Sequence, residues 1–151
     1  MIRPIVIALL ALATCASAQA GGAGFLDKPK AESQFLPVDQ AFEIQPLERK
    51  NGNLLVSWRI APGYYLYRQR LSFELLTPKS AKSGKPALPR GEKHSDEYMG
   101  EVEIYHLPML VAKVPLEAKT PKAIKVKVGY QGCADAGLCY PPQERVLELT
   151  P

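Results

Sequence analysis

The sequence predicts an all-β protein, an antiparallel β-sandwich, from three observations. Seven or eight short runs rich in β-branched and aromatic residues follow one another at close spacing. Turn signals separate them, chief among them Asn51-Gly52-Asn53 and Pro62-Gly63. No stretch sustains the 3.6-residue apolar period of an amphipathic helix. Short strands of this kind bury their apolar sides only when two sheets pack face to face.

In chain order, Ala41 to Leu47 alternates in part and reads as the first strand. Asn51-Gly52-Asn53 is a strong hairpin signal. Leu54 to Ile60 follows it with Leu54, Val56 and Trp58 on one face, and Trp58 is expected in the core. Pro62-Gly63 breaks that run, and Tyr64 to Tyr67 and Leu71 to Leu76 make two further strands. Thr77 to Gly91 holds three prolines and two glycines and reads as an irregular connection. Glu101 to His106, Met109 to Pro115, Ala123 to Tyr130 and Val146 to Leu149 complete the pattern.

The chain is expected to divide into a signal peptide (1–18), a leader (19–37) and one domain (38–151). Arg3 supplies the positive start, Ile5 to Ala13 the apolar core, and Ala16-Ser17-Ala18 a small-residue cleavage site. Later in the chain no apolar run reaches the length of a membrane span, so a soluble domain in an oxidising compartment is expected. Leu12-Ala13-Thr14-Cys15 loosely resembles a lipoprotein processing site that would leave Cys15 lipidated, but threonine departs from the usual small residue. Cys15 is therefore expected to leave with the signal. The leader is rich in Gly, Ala, Lys and Pro, with Phe25-Leu26 and Phe35-Leu36 as docking candidates. The formal charge of +4 falls by one when Arg3 is removed, and the lysines are spread without interleaved aromatics, which argues against nucleic-acid binding.

The remaining two cysteines lie in Tyr130-Gln131-Gly132-Cys133-Ala134-Asp135-Ala136-Gly137-Leu138-Cys139-Tyr140-Pro141-Pro142. Small and turn-prone residues between them allow a tight loop, so a Cys133–Cys139 disulfide is plausible. Pro141 and Pro142 bar a ladder-paired strand directly after Cys139, placing the pair at a sheet tip or edge near solvent. Such a bond is a modest staple: a loop of about seven residues stabilises by about 2.4 kcal/mol in the chain-entropy model. A short loop suits a dithiol that opens and closes, although the spacing is not C-x-x-C.

The run Gln131 to Pro142 closely resembles the active-site segment of the N-terminal periplasmic domain of the DsbD thiol:disulfide interchange family. The resemblance extends to Val38-Asp39-Gln40-Ala41-Phe42, Gly63-Tyr64-Tyr65-Leu66-Tyr67-Arg68, and Asp96-Glu97-Tyr98 with Gly100 and Glu103-Ile104-Tyr105. It covers nearly all of the chain from about Phe35 onward, and it implies an immunoglobulin-like fold. It also implies that Cys139 forms the intermolecular disulfide and Cys133 resolves it. Asp96-Glu97-Tyr98-Met99-Gly100 matches the family's cap loop, with Tyr98 in place of the common phenylalanine shield. Asp96 and Glu97 are then candidates for tuning proton transfer, since negative charge disfavours a nearby thiolate. Tyr65 and Tyr67, two apart on one strand face, fall beside the cysteines in that reading. Asp135 is expected only to cap its own turn.

The function implied is a monomeric periplasmic electron-transfer module, a protein-disulfide reductase whose only redox group is the Cys133–Cys139 pair. No metal or organic cofactor is expected. Its donor would be the thioredoxin-like domain of a DsbD-type membrane reductase. Its acceptors would be periplasmic disulfide isomerases and the thioredoxins of cytochrome c maturation. The family continues into a membrane domain and a C-terminal thioredoxin-like domain, whereas this sequence ends at Pro151, so a free-standing module and a piece of a longer protein both stay open. Two other classes stay open. A Cu(I) protein would use the cysteines with Met99, Met109, His94 or His106. A structural β-sandwich would keep its disulfide closed.

Overall fold

The computed structural model describes residues 34–78, 82–97, 99–117 and 123–150. The expected signal peptide, Cys15, most of the expected leader and Tyr98, expected as the shield, lie outside the described residues.

The hairpin expected at Asn51-Gly52 is formed. Lys50 pairs with Asn53, and the two residues between them adopt φ of 50° and 74°. That two-residue, positive-φ connection matches the right-handed twist of its strands, and glycine reaches it without strain. It joins β2 (Glu48–Lys50) to β3 (Asn53–Ile60). Ala41 to Leu47 is not one strand: a single helical turn, α1 (Val38–Ala41), runs into β1 (Phe42–Ile44), and the chain then breaks before β2. β1 and β2 share one edge of β3, while β8 (Met109–Pro115) lines the other.

A second sheet has the order β10 (Gly132–Ala134), β4 (Tyr64–Tyr67), β7 (Gly100–Tyr105), β6 (Glu92–Asp96). The third has the order β11 (Gln143–Leu149), β9 (Ile124–Tyr130), β5 (Ser72–Thr77). All pairings are antiparallel. Neither β6 nor β10 is expected from sequence, because Glu92 to Asp96 is polar and Gly132 to Ala134 is short; cross-strand partners alone make them strands.

Alternation on β3 works as expected. Leu54, Val56 and Trp58 are fully buried, with Leu110, Ala112 and Val114 of β8 and Ile124, Val126 and Val128 of β9 in the same core. The Trp58 ring meets Phe73 at 6.2 Å and Tyr130 at 6.0 Å, edge to face, so the β3 sheet packs on the β5–β9 sheet. Burying side chains of this size against one another is the main stabilising term of the domain.

Phe35 packs against this core. Leu36 is fastened by two tyrosines: its N–H donates to Tyr64 Oη at 2.8 Å, and its carbonyl accepts from Tyr140 Oη at 2.5 Å. A second, smaller apolar cluster lies on the other side of β4. It comprises Tyr65, Tyr67, Val102, Ile104 and Cys133, with Met99 packed against it. Gly132 sits where the two interiors meet, and a Cβ there would collide with the Tyr65 carbonyl and the Phe42 ring.

Candidate functional site

Cys133 and Cys139 form a disulfide with their Cα atoms 4.0 Å apart. The loop between them closes on itself through Ala134 N–H to Leu138 O at 2.7 Å and Gly137 N–H to Ala134 O at 2.9 Å. Gly137 has φ of 98°, a conformation only glycine adopts freely. Tyr140 N–H, donating to Gly132 O at 3.0 Å, seals the base of the loop.

The two sulfurs are not equivalent. Cys133 lies on β10, opposite Tyr65 of β4, and is 0% exposed. Cys139 follows the turn and is exposed. The expectation of a pair near solvent at a sheet edge is thus corrected for one member: β10 is an edge strand, yet the β4 tyrosines and Met99 enclose its cysteine. Such an arrangement leaves one cysteine at the surface and shelters the other.

Tyr67 places its hydroxyl 3.2 Å from Cys133 Sγ and 3.9 Å from Cys139 Sγ, and it donates to Asp96 Oδ2 at 2.5 Å. Burial pushes the Tyr67 phenol well above its ordinary range, and the bonds to Asp96 and Tyr65 push it further. It therefore keeps its proton wherever thiols titrate. Asp96 Oδ1 also accepts the Met99 N–H at 2.8 Å. The Tyr65 ring stands edge-on to Tyr67 at 5.4 Å and meets His94 at 5.3 Å. Both tyrosines thus lie beside the cysteines.

The segment matched to a cap loop is the tip of the β6–β7 hairpin. Asp96 pairs with Gly100, whose φ of 69° closes a short connection. Met99 packs on the small cluster, and Arg70 Nη2 approaches its Sδ at 3.3 Å. Glu97 is exposed and joins Tyr65, His94, Asp96 and Gly137 around a depression that reaches Cys139. A second depression reaches Cys139 from the side of Tyr67, Arg70, Met99 and Gln131. A wider groove lined by Arg68, Leu71, Phe73, Lys85 and Leu88 includes neither cysteine.

Sequence reasoning missed one member of this neighbourhood. Asp135 does not cap its own turn: its Oδ1 lies 2.8 Å from His106 Nε2. His106, considered from the sequence only as a copper ligand, faces carboxylates with both ring nitrogens, the second being Glu92 at 3.5 Å. Among the described residues no three His, Cys, Asp or Glu side chains are grouped so as to hold a metal ion. Their separation of 29 residues left no local signal for the His106–Asp135 contact.

Comparison with known proteins agrees with this geometry. Residues 32–151 match the family model for the N-terminal part of the thiol:disulfide interchange protein DsbD. The chain is 41% identical over 147 residues to DsbD 2 of Pseudomonas aeruginosa, covering 96% of this chain and 23% of that protein. It is 46% identical over 118 residues to DsbD of Cronobacter sakazakii, covering 78% of this chain and 20% of that one. The chain thus spans about a quarter or less of the length of these curated relatives. Among solved structures, the reduced DsbD N-terminal domain of Neisseria meningitidis superposes with a TM-score of 0.68 at 29% identity, covering 78% of this chain and 90% of that one. The complex between the DsbD and PilB N-terminal domains from the same organism gives 0.65 at 30% identity, covering 76% and 87%. The immunoglobulin-like fold expected from sequence is the fold of these neighbours. Among the described residues no helix is long and apolar enough to cross a membrane. The chain belongs to the family of DsbD N-terminal domains.

Proposed function

We propose that this domain is a periplasmic thiol–disulfide exchange module that carries two electrons on Cys133 and Cys139. The observation that carries the reading is the unequal exposure of the two cysteines, Cys139 an exposed residue and Cys133 at 0%. In reduction, a thiolate of the donor attacks Cys139 Sγ. The sulfur–sulfur bond breaks, its electron pair passes to Cys133 Sγ, and a mixed disulfide through Cys139 remains. Tyr67 Oη, 3.2 Å from Cys133 Sγ and held by Asp96, lies beside the departing thiolate and keeps its own proton, so the thiolate takes its proton from solvent. The donor's second thiol then resolves the mixed disulfide, releasing the dithiol domain and an oxidised donor. Delivery to an acceptor runs in reverse: the Cys139 thiolate attacks the acceptor disulfide, and Cys133 displaces the acceptor as a dithiol.

In this reading the donor is the thioredoxin-like domain of a DsbD-type reductase, and the acceptors are periplasmic disulfide isomerases and cytochrome c maturation thioredoxins. The related Neisseria domain in complex with a PilB N-terminal domain supports docking of another domain on this fold. The sulfurs suffice as redox group, so no metal or organic cofactor takes part. The hairpin tip at Asp96 to Gly100 acts as a cap that moves aside when a partner docks. As an enzyme the domain is a protein-disulfide reductase that works with its partner domains.

Trapping tests the assignment. With a thioredoxin-like partner, Cys133→Ala accumulates a covalent complex on a non-reducing gel, and Cys139→Ala yields none. A reduction potential between about −270 and −120 mV agrees with shuttling, whereas one well below about −300 mV marks a structural bond and ends the reading.

A further inference from the structure

At Asp135 the redox loop is tied to two other parts of the fold. Asp135 N–H donates to Gly63 O at 2.9 Å, in the turn before β4, and the Asp135 carboxylate meets His106 Nε2 at 2.8 Å. His106 directly follows β7. Its Nδ1 lies 3.5 Å from Glu92 Oε2 on β6, and its ring meets Tyr65 at 5.2 Å, steeply inclined. Tyr65 is the cross-strand neighbour of Cys133 and the ring partner of Tyr67. One imidazole thus touches the cysteine loop, the strand leading to the hairpin tip, and the aromatic beside the buried sulfur.

The protonation state of that ring decides what it can hold. A neutral imidazole has one N–H and one bare nitrogen, so it satisfies one carboxylate and turns a lone pair on the other. The imidazolium donates to both. The titratable groups facing it are Asp135 from the cysteine loop, Glu92 from β6 and the Tyr65 phenol from β4. Burial draws the His106 pKa down, but the hydrogen bonds and charges of Asp135 and Glu92 outweigh it and leave the pKa raised.

We infer that His106 is a positioning residue for disulfide exchange, which as an imidazolium bridging Asp135 and Glu92 clamps the loop that presents Cys139. The role rests on the exchange reading above. It acts through Asp135, not on the sulfurs. The clamp orders the loop before a partner arrives, so less freedom is lost at the encounter. Because the folded-state pKa is raised, the clamp is complete below the ordinary histidine value of about 6.5 and is lost as pH rises through the folded value. A partly exposed ion pair of this kind is worth about a two- to fivefold change in rate.

The test follows reduction of the oxidised chain by a thioredoxin from about pH 5.5 to about pH 8.5. Wild type is compared with His106→Gln and with Asp135→Asn, which keep shape and lose charge. Taking the ratio of variant to wild type at each pH cancels the titration of the thioredoxin. The expected result is a variant slower by about two- to fivefold at low pH that converges on wild type above the histidine transition. In parallel, NMR of the wild-type chain should show the Ala136 and Gly137 amides shifting with the His106 titration. A flat ratio near one across the range, in either variant that folds, overturns the inference, as do amides that ignore the histidine. Wild type that a thioredoxin does not reduce at any pH removes the exchange reading itself. The amide titration still reports whether the clamp exists, so the two failures are distinguishable.

Discussion

Tyr64 and Leu66 enter one interior and Tyr65 and Tyr67 another, although the four are consecutive on β4 and all buried. On the Tyr64 side lies the large core, where Trp58, Phe42, Tyr130 and the β8 and β9 aliphatics pack edge to face and side by side. Three of its tyrosine hydroxyls bond to backbone groups, and among the described residues the Trp58 indole N–H has no hydrogen-bond partner. On the Tyr65 side lies a handful of residues around Cys133, and their polar atoms meet one another: phenol to carboxylate, phenol to sulfur, imidazole over ring. The first interior is built to exclude water and stay shut. The second is thin, edged by an exposed cysteine, with Met99 packed on it. A strand pleat lets four residues serve both, because alternate side chains leave it on opposite faces.

Neighbouring substitutions on β4 test that division. Leu66→Ala deletes a fully buried side chain from the large core and should cost about 2–5 kcal/mol in denaturant unfolding. At temperatures where the variant stays folded, its rate of reduction by a thioredoxin should match wild type; a large rate defect there would break the separation of the two interiors. Gly132→Ala places a methyl against the Tyr65 carbonyl and the Phe42 ring, so it presses on both interiors at once. A loss of about 1–3 kcal/mol, with altered exchange as well, is the expected outcome of calorimetry and kinetics together. Tyr67→Phe keeps the ring in the small cluster and removes only the hydroxyl on Asp96. Its stability loss should be the smallest, about 0.5–1.5 kcal/mol, while exchange slows. Unimpaired exchange in that variant would take the phenol out of the exchange site.

Much of the large core was legible in the residues themselves. The alternation Leu54, Val56, Trp58 marks a half-buried strand whatever its partners are, and Asn51-Gly52 demands the positive φ of a tight hairpin. The small cluster was legible in part. Two cysteines in a turn-rich segment specify a loop, and the resemblance of that segment to a known active site pointed to Tyr65, Tyr67 and Asp96. The exposure of each sulfur was not legible, because Cys133 is buried by the pairing of β10 with β4, and three residues such as Gly132 to Ala134 carry no strand signal of their own. His106 enters the sequence reading only as one optional ligand of the copper alternative, because its partner Asp135 is 29 residues away and both look like surface polar residues.

The sequence by itself determined the periodicities, the turns and the presence of a short cysteine loop, since these follow from side-chain chemistry within a few positions along the chain. Only the tertiary structure decided which cysteine is sheltered, that the Tyr67 hydroxyl stands beside Cys133 Sγ, and that one histidine ties the redox loop to β6. Those outcomes depend on the register of strands far apart in sequence, and a shift of one residue would send each of these side chains to the opposite face.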